Sequence, residues 1–193
     1  MPIIVDTPDT VEMVTQAMLA GLRQMLGPQK VYVLGLQEVH DGKTPTENDY
    51  AGWQYLTPLA PHIGLSNRVS QKPGGAPVFT GISYGRQAAL AIQAFPQLDT
   101  LPGIPEGSYM ATMLSIPALL TESYWLRTQP SGTDWVVAYD SNAPGLQLMR
   151  AYTMADFLQI LQPLALSRLR FAAANPGPRE STEPPANPSA VKS

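Results

Sequence analysis

Cysteine is absent from the 193-residue chain, which removes disulfide bridges, thiolate nucleophiles and cysteine-ligated zinc together. Charge is scarce as well: acidic and basic residues make up 14%, against about a quarter in an ordinary globular protein. The twelve Lys and Arg are scattered, Arg168 and Arg170 being the nearest to a cluster, and the net charge is −3. Binding to nucleic acid requires clustered cations that displace phosphate counterions, so that class of partner is excluded. Histidine is limited to His40 and His62. No apolar run approaches the ~20 residues needed to span a bilayer; the longest, MATMLSIPALL at 110–120, is broken by Pro117. The opening MPIIVDTPDTVE lacks the basic and apolar regions of a secretory signal. The expectation is a cytoplasmic protein with no membrane partner, no metal and no cofactor.

Proline, by contrast, is abundant. Twenty prolines imply short elements and many fixed turns, because each removes a backbone donor. Hydrophobic residues at 44% are enough for a core. Val11, Val14, Met18, Leu22 and Met25 form a helical stripe over 9–26, with Asp9 as N-cap and Gly27-Pro28 as the stop. KVYVLGLQEVH at 30–40 reads as a strand, 51–59 as a short strand, and 60–77 as a long loop containing Gly74-Gly75. A helix follows from about Tyr84 to Phe95.

After Ser108 the pattern changes. SYMATMLSI, SYWLRTQ, WVVAYDS and LQLMRAY are extended segments separated by turns, as in an antiparallel meander. Thr153 then caps a C-terminal helix that Pro163 kinks or restarts and that ends near Ala174. The expected architecture is α+β: a mostly antiparallel sheet, an N-terminal helix, one inserted helix and a C-terminal helix packed on the sheet. Residues 1–174 form one globular domain, and 175–193 a Pro-rich disordered tail.

Gly81-Ile82-Ser83-Tyr84-Gly85 matches G-x-S-x-G, with an apolar run before it and an Ala-rich helix after it. Over about eighteen residues this stretch resembles the nucleophile elbow of the α/β-hydrolase family, a resemblance that implies a serine nucleophile at Ser83. In that family the acid and then the histidine follow the serine. Here His40 and His62 both precede it, so a hydrolase would have to recruit an upstream base. The simpler expectation is a strand–turn–helix junction in which Ser83 caps the helix.

Glu38, His40 and Asp41, with His62, are candidate metal or acid–base groups. Glu122, Asp134 and Asp140 flank a hairpin, two of them at turn positions that favour Asp for structural reasons. The aromatics Trp53, Tyr55, Tyr124 and Trp125 are candidates for a binding face. Finally, DWVVAYDS…LQLMRAYTMADFLQIL resembles the C-terminal strand–strand–helix portion of bacterial immunity proteins, which implies a protein partner. The function expected is therefore that of a non-enzymatic binding or adaptor protein, with a serine hydrolase using Ser83 as the alternative.

Overall fold

The computed structural model describes residues 3–4, 26–71 and 75–175. They form one mixed, mostly antiparallel sheet with helices on both faces. Its strands are β1 (Ile3–Ile4), β2 (Leu26–Val33), β3 (Tyr50–Ala60), β4 (Ile63–Ser70), β5 (Val78–Gly85), β6 (Tyr109–Ile116), β7 (Thr121–Thr128), β8 (Trp135–Asp140) and β9 (Ala151–Thr153). Their order is β5-β4-β3-β2-β6-β7-β8-β9. Both β1 and β2 run parallel to β6, against different parts of it, and every other pairing is antiparallel. The helices are α1 (Leu36–His40), α2 (Arg86–Ala94) and α3 (Met154–Ala174).

The meander expected after Ser108 is present as β6 to β9. Its strands are apolar on alternate positions in both directions, as in a sheet covered on both faces. Leu114, Ile116, Trp125, Val136 and Ala138 meet one core layer, whereas Ala111, Met113, Tyr124, Leu126 and Val137 meet the other. The first layer is closed by α3, whose Phe157, Leu158, Leu161 and Ala165 are buried at helical spacing. Thr153 caps α3, its Oγ1 accepting from the Asp156 amide at 3.1 Å. Pro163 is exposed, and α3 continues through it as a single helix. The second layer is closed by α2 through Ala88, Ala91 and Ala94 and by Leu98 just beyond it. Small alanine side chains allow α2 to lie close to the sheet. Gly64 on β4 requires that closeness, since a Cβ there would stand 2.6 Å from the Ala89 nitrogen.

Several expectations are corrected. The strand expected over 30–40 ends at Val33, and Leu36–His40 is helical. Leu36 and Val39 fit a helical spacing as well as the alternation fits a strand, and a five-residue segment gives periodicity little to decide on. Val39 is buried against the α3 layer, which selects the helix. The loop expected over 60–77 contains β4, eight residues paired on both sides. Gly64, Ser66, Asn67 and Arg68 make that strand look like a loop, but backbone pairing to β3 and β5 does not depend on apolar side chains. Gly27-Pro28 lies inside β2, at a register shift between Leu26 and Gln29 where the missing proline donor is tolerated. The final meander strand shrinks to Ala151–Thr153. The helix expected over 9–26 and the tail expected over 175–193 fall, apart from Leu26 and Asn175, outside the described residues.

Candidate functional site

On the α2 side of the sheet, the strand-to-helix junction opens into a cleft. Alternation along the strands aims Gln54 of β3, Ser66 and Arg68 of β4 and Ser83 of β5 to that side, with Gln54 opposite Arg68 and Ser66 opposite Ser83. Arg86 and Gln87 come from the first turn of α2, Glu122 from β7 and Tyr139 from β8. Together these groups line a cavity of about 170 Å³. A wider groove of about 530 Å³ shares Arg68, Arg86, Gln87 and Glu122 with it and extends to Asp140 and Ser141.

Gly85 makes the junction possible. Its φ of +146° and ψ of −164° suit glycine alone, and they turn the chain directly from β5 into α2. The residue is also the N-cap of α2, and no side chain caps the helix. The expected capping role of Ser83 is therefore not realised: Ser83 lies within β5, two residues before the cap, and is exposed. The first amides of α2 have no side-chain cap, and they carry the positive end of the helix dipole.

Among the described residues Glu122 is the one buried carboxylate, 8% exposed. Burial raises its pKa above the ordinary carboxylate value. The 2.7 Å hydrogen bond donated by Ser115 Oγ and the charge of Arg68 oppose that rise, whereas Asp140 reinforces it. Asp140 stands directly opposite Glu122 across the β7–β8 ladder. Two of the three hairpin carboxylates are thus brought together, and the third, Asp134, is used structurally. Its oxygens accept from Trp125 Nε1 at 2.9 Å and from the Thr128 amide at 3.0 Å. Tyr139 is buried beside Glu122, and burial holds its hydroxyl well above the ordinary tyrosine value.

Two of the lining residues carry buried, unpaired polar atoms. Ser66 Oγ and Gln54 Oε1 belong to residues 3% and 5% exposed, and neither has a hydrogen-bond partner. Such a group costs about 1–3 kcal/mol when left unsatisfied.

The remaining candidate residues are placed elsewhere. His40 ends α1, which packs on the opposite face of the sheet with the α3 layer. His62 is in the β3–β4 turn, tied to α2 through the Pro61 carbonyl, which accepts from Gln93 Nε2 at 2.7 Å. It is four residues along β4 from the partner of Ser83, roughly 13 Å at the rise of a strand. Neither histidine belongs to the Ser83 cleft. Glu38 and Asp41 remain at α1, where the Gln37 and Lys43 side chains hold Asp41 below its usual pKa. Among the described residues no three metal-ligating side chains converge.

The four aromatics expected on a binding face are all interior. Trp53, Tyr55, Tyr124 and Trp125 are each no more than 4% exposed. Tyr124 donates to the Ala91 carbonyl at 2.9 Å, and the Trp125 ring packs edge-on against Tyr32 at 5.0 Å. Their side chains reach both core layers because the sheet is covered on both faces, so neither of the adjacent pair Tyr124 and Trp125 is exposed. The residues that sequence reasoning missed are Gln54, Ser66, Arg68, Arg86 and Gln87. Alternation of Gly64, Ser66 and Arg68 against Leu65, Asn67 and Val69 was the available signal for the β4 members.

No protein-family model, curated protein or solved structure matches the chain.

Proposed function

We propose that the chain is a non-enzymatic binding protein that takes up an extended segment of a protein partner along β5. What supports this is the character of that strand. Among the described residues it ends the sheet; it is eight residues long and contains no charged residue and no proline. Val78 is 60% exposed, Ile82 59% and Tyr84 79%. Sheet edges are ordinarily protected by charge, proline or brevity, because their unpaired amides and carbonyls accept another strand. The opposite edge is protected in this way: β9 has three residues and runs straight into α3. An occupant of β5 would pair through its backbone and set apolar side chains at alternate positions beside Ile82 and Tyr84. An immunity-like role, with a toxin as the partner, is the finer form of this proposal.

The test is a random-peptide display selection against the full chain. Recovered peptides should alternate apolar residues, and Ile82→Lys and Tyr84→Lys should weaken them at least tenfold, with Ser83→Ala binding as wild type. Failure to recover peptides, recovered peptides insensitive to both lysine variants, or self-association of the chain through β5 in sedimentation would each overturn the proposal. The serine hydrolase alternative makes the opposite prediction, that a fluorophosphonate labels Ser83 and that Ser83→Ala abolishes the labelling. An unlabelled folded chain excludes it.

A further inference from the structure

We infer that the segment taken up along β5 carries aromatic side chains four residues apart on the side that α2 covers. This rests on the reading of β5 as a partner edge and names what that edge selects. The two faces of β5 are unlike. Ile82 and Tyr84, paired with Asn67 and Leu65 of β4, point away from α2 and are exposed. Gly81, Ser83 and Gly85, paired with Arg68, Ser66 and Gly64, point to the α2 side. On that side the outer strand presents one hydroxyl between two positions that have no side chain.

A glycine within a strand marks a bulge, a bend or a place where another group approaches closely. Two further strand glycines show that close approach. A Cβ on Gly52 of β3 would run into the Val69 carbonyl oxygen, and one on Gly64 would meet the backbone of α2. At Gly81 and Gly85, by contrast, no described residue comes within 4 Å of where a Cβ would stand. The strand does not fill that space itself, because φ of +158° and +146° would strain any L side chain placed there. The neighbour across the free edge is left to cover it. In a β ladder, an aromatic ring lies over a glycine directly opposite and shields its backbone from water. Residues opposite Gly81 and Gly85 are four apart in the occupant, whichever way it runs. Those opposite Ile82 and Tyr84 fall between them on the other face, and the central residue meets the Ser83 hydroxyl. The selected segment therefore reads aromatic–apolar–polar–apolar–aromatic.

The test sets two display libraries of short peptides against the full chain. Both carry a fixed Val-Ser-Val core, which reads the same in either direction, and randomised flanks. The residues on either side of the core are Phe, Tyr or Trp in one library and Ala in the other. Aromatic peptides should bind at least tenfold more tightly, about 1.4 kcal/mol shared by two rings. They should also move the Hα resonances of Gly81 and Gly85 upfield by ring current. Ser83 is exposed, so Ser83→Phe should fold, which thermal unfolding checks. Its own ring covers the glycines on either side and should remove the aromatic preference, with the Ala peptides binding as before. Equal binding of the two libraries, weakened by Ile82→Lys and Tyr84→Lys, would overturn this inference and leave β5 as the partner edge. An aromatic preference undiminished in Ser83→Phe would overturn it too, since the rings would then lie elsewhere. Binding from neither library also overturns it, and if the random selection recovers nothing either, the reading of β5 falls with it.

Discussion

The two halves of the sheet treat buried polar groups in opposite ways. In β6 and β7 every one is satisfied. Thr112 Oγ1 donates to the Trp125 carbonyl at 3.0 Å, Ser123 Oγ to the Leu114 carbonyl at 3.0 Å, Thr121 Oγ1 to the Leu119 carbonyl at 3.2 Å, and Ser115 serves Glu122. In β2 to β4 the buried Gln29, Gln54, Thr57, Ser66 and Asn67 all retain unpaired side-chain atoms. Gln29 lies beside the Tyr124 hydroxyl, yet outside hydrogen-bonding geometry with it. A polar group buried with its partner is part of the structure, and one buried without a partner costs stability. The β6–β9 half, backed by α3, is therefore the structural half. The β2–β5 half carries costs that stability does not explain, and it holds both the open edge and much of the cleft lining.

The largest effect that sharpens this contrast lies in the structural half. Phe157 is fully buried against β8 and its neighbours, so Phe157→Ala should lose about 3–5 kcal/mol in chemical denaturation. Next comes Ser115→Ala, which takes the hydrogen bond from Glu122 and should cost about 1–3 kcal/mol near pH 7. Its pH dependence follows from sign. Because burial raises the folded pKa of Glu122, the stability linked to that carboxyl is present at low pH and lost as pH rises through the folded value. Ser115→Ala raises that pKa further, so urea titrations should find a larger penalty at pH 7 than at pH 4. A penalty independent of pH would remove Glu122 from the account.

The smallest effect is the most discriminating. Thr→Val exchanges a hydroxyl for a methyl of similar shape. At Thr112, which is paired, it should cost about 1 kcal/mol; at Thr57, which is not, it should be neutral or stabilising by about 1 kcal/mol. Equal costs at the two positions would break the comparison between the halves.

The same division governs how legible the molecule was in its sequence. WVVAYDS declares itself because apolar β-branched and aromatic residues make β8 and bury it on both faces. Thr153 and Asp156 declare the start of α3 through a local hydrogen bond. The β4 strand does not, because the buried Ser66 and Asn67 are polar and the exposed Arg68 follows them, which suppresses the hydrophobic signal on which strand recognition rests. The cleft was invisible for a further reason. Ser66, Arg86 and Glu122 are brought together by the sheet order and by the approach of α2 over Gly64, and no local spacing encodes that juxtaposition. Ser83 was noticed through its motif, but strand pairing extended β5 past it to Gly85 and moved the junction.

The central claim is that buried polar groups of β2 to β4 go unpaired where those of β6 and β7 are satisfied. Ser66→Ala tests it most directly, with its unfolding free energy measured beside that of Ser123→Ala. The account predicts stability equal to or above wild type at Ser66, and a loss of about 1 kcal/mol at Ser123. A loss at Ser66 equal to that at Ser123 would contradict it.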